Sequence, residues 1–261
     1  MAWAYRASSY ANNGAGTAIV SSPGTTTVTL GAALTAGDLI VLSIMGFNTQ
    51  SSGNTPPTFA VSDSVNGSWG SGEVKTLTWF TAGRGSLWAF ANSGAGTPVI
   101  TLTATFNQGS SSPCNVGLQV AAFSGIATTS AFDTGAAASG TANTANSGAV
   151  SPATAAGSEL MVGCYVDSGE GTTLSVGNIN SVAATLTGKH DADGGRWQGL
   201  FEHGDAGSSG GTPSATASTT GTLVGGWAMI GGVFKLAAGA AQDTPELRLP
   251  ARRQMHQLLA I

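Results

Sequence analysis

Short strand signals follow one another along this chain, with turn residues between them. Residues 25–30 alternate with period two, and residues 39–45 form a mostly apolar run. Similar segments cover residues 58–64, 86–91, 97–106 and 116–123. Gly, Pro, Asn and Ser separate them, and period-two alternation places successive side chains on opposite faces of a strand. The pattern predicts an all-β fold, a β-sandwich.

The second half of the chain repeats the plan of the first. The segment AGDLIVLSIMG from Ala36 corresponds to AGSELMVGCYV from Ala156. The offset falls from 121 residues at Leu39/Leu160 to 111 at Phe123/Phe234, as short loop deletions would produce. We interpret the repeats, about residues 17–126 and 150–236, as two sheets or half-barrels of one β-sandwich spanning residues 1–241. Two tandem sandwiches are the alternative.

Residues 124–148 join the two repeats and are low in complexity, rich in Ala, Thr, Ser and Gly. Such a segment can be a flexible linker. It can also be a crossover strand whose small residues pack closely. We favour the strand, since the following residues contain no charged spacer.

Charged residues make up 8% of the chain, against about 25% in ordinary soluble proteins. Six Lys and Arg residues are scattered before residue 242, which argues against nucleic-acid binding. Ser, Thr and Asn must therefore cover the exposed faces. No apolar run approaches the roughly 20 residues that span a bilayer, and the N-terminus does not have the pattern of a signal peptide. We expect no membrane insertion.

Two cysteines, Cys114 and Cys164, are too few for a disulfide scaffold. They could pair once. Two buried free thiols are the favoured interpretation, because nothing else in the sequence indicates an oxidising compartment.

The last residues, 242–261, differ from the rest of the chain and predict a C-terminal helical anchor. Asp243 or Thr244 can cap a helix that has Pro245 at its first position. A helix this short is marginal alone in water, so it must dock on a partner. The residues expected to contact the partner are Leu247, Leu249, Arg252, Arg253, Met255, Leu258 and Leu259.

The densest polar cluster runs from His190 to Gly194. Asp191, Asp193 and Glu202 match three ligand positions of a calcium-binding loop, but Gly195 and Arg196 break the pattern, so a turn is favoured. Glu202 and His203 would point to opposite faces of a strand. We therefore predict no catalytic residue, no cofactor and no metal site.

Tryptophans are the remaining candidates for contact with a ligand. Trp88 and Trp227 lie in core-like strands. Trp69 and Trp197 are flanked by glycines near loops, so we expect these two to be exposed and able to contact a ligand such as a sugar.

Four segments together resemble a β-sandwich module of structural proteins of tailed bacteriophages and related prophage-encoded proteins. They are AGDLIVLSI, VSDSVNGSW, SLWAFANSGAGTPVITLTATF and LQVAAFSGI, within about residues 17–236. The resemblance implies a virion component with a jelly-roll or immunoglobulin-like sandwich, and it transfers no catalytic residue.

The favoured hypothesis is a non-enzymatic virion structural protein, either a capsid decoration (cement) protein or a minor tail component. It would contact other virion proteins and form a homo-oligomer, with a trimer as the leading possibility. The alternative is a receptor- or carbohydrate-binding appendage that uses Trp69 and Trp197 on a host surface glycan. A third hypothesis is an enzyme such as a depolymerase.

Overall fold

A computed structural model of the chain describes residues 3–12, 19, 21–49, 55–107, 113–152, 159–169, 173–192, 197–207 and 211–238. Within these ranges the protein is all-β and contains no helix. Its strands are β1 (Ala4–Asn12), β2 (Gly24–Thr29), β3 (Leu39–Asn48), β4 (Thr58–Asp63), β5 (Gly67–Ser68), β6 (Glu73–Trp79), β7 (Gly83–Phe90), β8 (Val99–Thr105), β9 (Cys114–Ser124), β10 (Phe132–Gly140), β11 (Thr144–Asn146), β12 (Leu160–Gly169), β13 (Thr173–Ile179), β14 (Val182–Ala183), β15 (Thr185–Ala192), β16 (Trp197–Asp205), β17 (Ala215–Thr220) and β18 (Leu223–Phe234). The predicted C-terminal helix lies outside the described residues.

Each half of the chain forms two sheets of its own. The first half has a five-stranded sheet, β1-β9-β3-β7-β6, here called the first inner sheet, and a four-stranded sheet, β2-β8-β4-β5, the first outer sheet. The second half has a second inner sheet, β10-β18-β12-β16-β15, and a second outer sheet, β11-β17-β13-β14. The interpretation of the repeats as two sheets of one sandwich is therefore wrong, and the tandem alternative is correct.

The two halves correspond strand for strand, since adding nine to each label of the first half reproduces the order of the second. Two of the register irregularities correspond as well. The register slips at Arg6 in β1 and at Asp133 in β10, and again at Val74 in β6 and at Thr187 in β15. The predicted repeat boundaries at 17 and 150 left out β1 and β10, whose small and polar residues carry a weak strand signal. β10 confirms that the joining segment contains a strand.

The apolar pattern of each strand reflects how many of its faces are covered. In β2, Val28 points into the first core, while Thr25 and Thr27 on the other face are exposed. β3 is buried along its whole length because both of its faces are covered. Its even-numbered residues, such as Leu42, pack against the outer sheet, and its odd-numbered residues, such as Val41, pack against the other half of the chain.

A third core, between the two inner sheets, joins the sandwiches into four layers. The first half contributes Leu39, Val41, Leu87 and Phe123, and the second half contributes Leu160, Val162, Phe201 and Phe234. These two sets contain equivalent positions of the repeat. The order of layers is outer, inner, inner, outer, with about 10 Å between successive layers.

The interface between the inner sheets has an approximate two-fold symmetry. β1 packs on β15, and the equivalent strands β10 and β6 pack on each other. A Cβ atom at Gly85 would lie 3.3 Å from Ile230 Cδ1. Gly199 is the equivalent of Gly85, and Gln119 is the equivalent of Ile230. Gln119 Nε2 donates to the carbonyl of Gly199 at 3.2 Å. The arrangement is that of a symmetric dimer whose two subunits have been joined in one chain.

Candidate functional site

The two outer faces of the molecule are almost free of ionisable groups. The eight strands of the outer sheets contain one ionisable residue, Asp63, and its exposed fraction is 6%. Polar, uncharged side chains cover most of both faces. On the first outer sheet they include Thr25, Thr27, Thr29, Thr58, Ser62, Thr101, Thr103 and Thr105, and on the second Thr144, Asn146, Thr173, Ser175, Thr216, Ser218 and Thr220. The expectation that Ser, Thr and Asn cover the exposed faces is confirmed.

The register aligns these hydroxyl groups in rows. Thr25 pairs with Thr103 and Thr27 pairs with Thr101, so threonines lie side by side on neighbouring strands. In the second outer sheet, Ser218 pairs with Thr144. Neighbours in a row are about 4.8 Å apart, and successive rows are about 6.7 Å apart. Each hydroxyl can donate one hydrogen bond and accept two, so the faces can bond to water or to another neutral polar surface.

Asp63 organises the hairpin between β4 and β5. Its Oδ1 accepts hydrogen bonds from the backbone N–H groups of Val65 and Asn66, both at 2.7 Å. Its Oδ2 accepts from Asn66 Nδ2 at 2.9 Å and from Trp69 Nε1 at 2.6 Å. These four bonds satisfy the buried carboxylate, so the SDSVNGSW segment has a structural role here.

The expected exposure of Trp69 is wrong, because the hairpin turns this side chain into the first core. Its exposed fraction is 5%, and its ring lies 5.5 Å from that of Phe90. The neighbouring glycines indicated a loop but not the direction of the indole. Trp197 begins β16, and its side chain lies outside what the structure describes. Trp88 and Trp227 are buried, as predicted.

Glu202 is a carboxyl group inside the second core. It is fully buried, and its Oε2 accepts a hydrogen bond from the backbone N–H of Gly177 at 3.2 Å. Its Oε1 has no hydrogen-bond partner among the described residues. Gly163 lies opposite, where a Cβ atom would come within 2.8 Å of Oε1. Burial raises the pKa of Glu202 to about 8, so the group is neutral at pH 7.

A second polar pair lies in the same core. The hydroxyl of Tyr165 donates to Asp167 Oδ2 at 2.9 Å, and both residues are buried. Burial is the main cause that raises the pKa of Tyr165 far above its ordinary value, and the neighbouring Asp167 raises it further. The phenol therefore stays protonated and can continue to donate.

Glu202 and His203 point to opposite faces of β16, as predicted. Glu202 contacts the second outer sheet through Gly177, whereas His203 contacts Trp3, Tyr5 and Phe123 of the first half. The partial match of Glu202 to a calcium-binding loop fails for a second reason, because its carboxyl group lies in a core. Within the described ranges, no group of three or more His, Cys, Asp or Glu side chains could hold a metal ion.

His203 lies in an aromatic cage between the two inner sheets. Its ring is parallel to that of Tyr5, with centroids 5.2 Å apart, and the rings of Trp3 and Phe123 meet it edge-on at 5.7 and 5.3 Å. Thr187 Oγ1 is 2.7 Å from Nδ1. Burial lowers the pKa of His203 to about 4, so the imidazole is neutral at pH 7.

Both cysteines are free and buried, which confirms the favoured interpretation. Burial raises the pKa of the Cys114 and Cys164 thiols to about 12. A thiol held protonated is a poor nucleophile and a poor metal ligand, so the two groups act as small core residues.

An exposed aromatic residue that the sequence analysis missed, Phe80, lies in the hairpin between β6 and β7. Its exposed fraction is 55%, and its φ of 49° is unusual for a bulky residue. Its ring is 5.9 Å from that of Phe47, which also lies 6.5 Å from Trp79. The sequence indicated only weakly that this ring is exposed, because an aromatic residue directly after a strand resembles part of that strand.

The predicted partner-binding residues between Leu247 and Leu259 lie outside the described part of the chain, so their role stays a prediction. Asp193, Gly194, Gly195 and Arg196 also lie outside it. The strands on either side of these four residues pair in antiparallel register, with Ala192 opposite Trp197. In the described ranges there is no helix long and apolar enough to cross a membrane.

Comparisons with protein-family models, with curated proteins and with solved structures found no match to this chain.

Proposed function

We propose that this protein is a non-enzymatic structural subunit of a tailed-bacteriophage virion, either a capsid decoration protein or a minor tail component. The observation that supports the proposal best is the chemistry of the outer sheets, whose eight strands contain one ionisable residue, and that one is buried. The resemblance of the sequence to virion β-sandwich modules supports the phage assignment. Classification of each sandwich as jelly-roll or immunoglobulin-like belongs to the same proposal.

Neutral outer faces suit a subunit that is covered by neighbours. Burying a hydroxyl group that finds a new hydrogen-bond partner costs far less free energy than burying a charge. Two such faces on opposite sides of a four-layer body can contact two neighbours at once. Weak contacts of this kind add up when many copies occupy a symmetric particle.

In this proposal, residues 242–261 form the anchor to other virion proteins, and the subunit is a homo-oligomer with a trimer as the leading possibility. Deletion of residues 243–261 tests the anchor. We expect the number of copies per particle, measured by quantitative mass spectrometry, to fall at least tenfold. Undiminished incorporation would remove the anchor role.

Lysine substitutions test the outer faces. Thr27→Lys places a charge on the first outer face, and Thr220→Lys places one on the second. Thr78→Lys, on an exposed position of the edge strand β6, is the matched control. We expect lower incorporation for one or both outer-face variants and wild-type incorporation for Thr78→Lys. Wild-type incorporation of all three variants would contradict the role proposed for these faces.

A second candidate function is a carbohydrate-binding appendage, and the exposed ring of Phe80 favours it. Aromatic faces commonly stack on sugars, and Phe80 rests on Phe47 rather than being isolated. Binding on an array of host polysaccharides that is lost in Phe80→Ala or Trp197→Ala would support this function. If the wild-type protein binds none of them, the function is wrong.

A further inference from the structure

At one rim of the interface between the sandwiches, β1 packs on β15. A histidine there, His203, forms no salt bridge with any described residue. The exposed fraction of His203 is 5%, and the aromatic rings of Trp3, Tyr5 and Phe123 surround it. Trp3 and Tyr5 lie in or next to β1. His203 of the second sandwich therefore contacts the N-terminal strand of the first sandwich.

One short chain of hydrogen bonds links the same two strands. The hydroxyl of Tyr5 donates to Ser8 Oγ at 2.6 Å, and the hydroxyl of Ser8 donates to the carbonyl of Thr187 at 3.2 Å. Thr187 also bonds to His203 through its hydroxyl. The contacts of His203 and its neighbours therefore join β1 to β15.

No described carboxylate forms a salt bridge with His203. On β1, Arg6 is paired with Asp38 at 3.5 Å. On the histidine's own strand, Glu202 points to the opposite face, and Asp205 is exposed. On β15, the ammonium of Lys189 donates to a carbonyl of the second outer sheet. β9 and β12 place Phe123 and Val162 beside the ring, and neither side chain is charged.

The other rim of the pseudo-symmetric interface is built differently. Tyr5 corresponds to Phe132, His203 to Ala89 and Thr187 to Val74, and all three of these replacements are apolar. At that rim, Lys235 is paired with Asp133 at 3.5 Å. The imidazole and the two hydroxyl-bearing residues of the first rim therefore have apolar equivalents at the second.

We propose that the rim formed by β1, β15 and His203 is an acid-sensitive latch, which opens and frees β1 from the second sandwich when the imidazole is protonated. An imidazolium gains some attraction from the face of Tyr5, but it loses its hydration among aromatic rings that offer no negative charge. Opening restores that hydration. It also exposes Phe123, which is buried in the closed state, and more of the partly buried Trp3.

The direction of the pH dependence follows from the environment of His203. Its pKa is about 4 in the closed state, against 6.5 for the free side chain. A proton therefore binds more tightly when the rim is open, and closure weakens as the pH falls from 6.5 to 4. The whole shift corresponds to a change on the order of 100-fold in the closing equilibrium. Well above pH 6.5, His203 is neutral in both states and no longer affects the closing equilibrium.

Hydrogen exchange followed by mass spectrometry on the full chain tests the latch, with rates corrected for the intrinsic effect of pH. From pH 7.5 to 4.5, we expect peptides of β1 in the wild-type protein to lose protection by tens of fold. Peptides of β10 at the other rim should keep theirs. His203→Phe keeps an aromatic ring in the cage but cannot bind a proton, so its β1 peptides should stay protected at pH 4.5.

Wild-type protection of β1 that does not change with pH would overturn the proposal, and so would an equal loss in His203→Phe. Circular dichroism at pH 7.5 establishes that the variant is folded. Should it not fold, NMR titration of the His203 ring in the wild-type protein decides. A pKa below about 5.5 supports the latch, and a higher pKa contradicts it.

Discussion

The two sandwiches have the same strand order and share the bulges of their edge strands, but their cores are filled with different chemistry. In the first, Trp88 lies opposite Leu42, and its Nε1 donates to Ser86 Oγ at 3.0 Å. In the second, Glu202 occupies the place of Trp88, and Gly163 occupies that of Leu42. Where the first sandwich has two large apolar side chains, the second has a carboxyl group opposite a glycine. Strand pattern and register maintain the fold, whereas individual core positions can change polarity.

In the hairpins of the outer sheets the difference is reversed, because the first sandwich has the carboxyl group and the second has apolar residues. In the first sandwich, Asp63 and Trp69 form a buried hydrogen-bonded pair. The equivalent residues of the second are Ile179 and Ala184, which are apolar and buried. Asp63 and Glu202 are therefore buried carboxyl groups at positions where the other sandwich has an apolar residue. The carboxylate of Asp63 is satisfied by four hydrogen bonds, whereas one oxygen of Glu202 has no partner among the described residues.

The largest expected effect is the loss of the first core's central side chain. Trp88→Ala should lower the free energy of unfolding by about 3–5 kcal/mol, because it removes a large buried ring and leaves a cavity. Urea denaturation measures this, with Thr78→Ala on the exposed edge as a control that should change it by less than about 0.5 kcal/mol. If Trp88→Ala is as stable as the control, Trp88 is not part of a tightly packed core.

Glu202 should make stability depend on pH. Its pKa is about 8 in the folded protein and about 4.5 when unfolded, so the folded state keeps a proton that the unfolded state has lost. Stability should fall as the pH rises from 6.5 to 8, by about 1.4 kcal/mol per pH unit. His203 is neutral in both states over most of this range. Glu202→Gln should remove the slope, and an unchanged slope would show that Glu202 is not the group responsible.

Asp63→Ala should have a smaller effect than Trp88→Ala. It removes four acceptor bonds and leaves the buried Trp69 Nε1 unsatisfied, which costs about 1–3 kcal/mol. Thermal unfolding measures the loss, and Ser68→Ala in the same hairpin is the matched control. Tryptophan fluorescence should also report a changed environment for Trp69. Equal melting temperatures for the two variants would contradict the anchoring role of Asp63.

The sequence was sufficient to predict the all-β class and most of the strands of the first half. Residues 25–30, 39–45 and 116–123 all lie within or overlap strands, because their alternation or their continuous apolar character reflects burial on one or two faces. The drift in repeat offset also identified equivalent residues correctly at Leu39/Leu160 and Phe123/Phe234, which occupy the same register.

Two features were not predicted from the sequence. Alternation along a strand shows that one face is buried but not which sheet covers it, so the alternating strands alone do not distinguish one sandwich from two. The overlooked signal was the apolar character of the inner-sheet faces that point away from the outer sheets and include Leu87 and Phe201. A single sandwich would leave these faces in water. The direction of Trp69 depends on the bonds of Asp63, and no periodicity reports it.

The account rests on two complete sandwiches that pack through equivalent faces of their inner sheets. Methyl NMR tests this directly through the contact between Ile230 and Gly85. We predict a nuclear Overhauser effect between the Ile230 δ1-methyl group and the Hα protons of Gly85. We predict another between the methyl groups of Leu87 and the Hα protons of Gly232, which Leu87 Cδ2 contacts closely. Loss of both signals, with Ile230 and Leu87 accessible to a soluble paramagnetic probe, would contradict the four-layer arrangement.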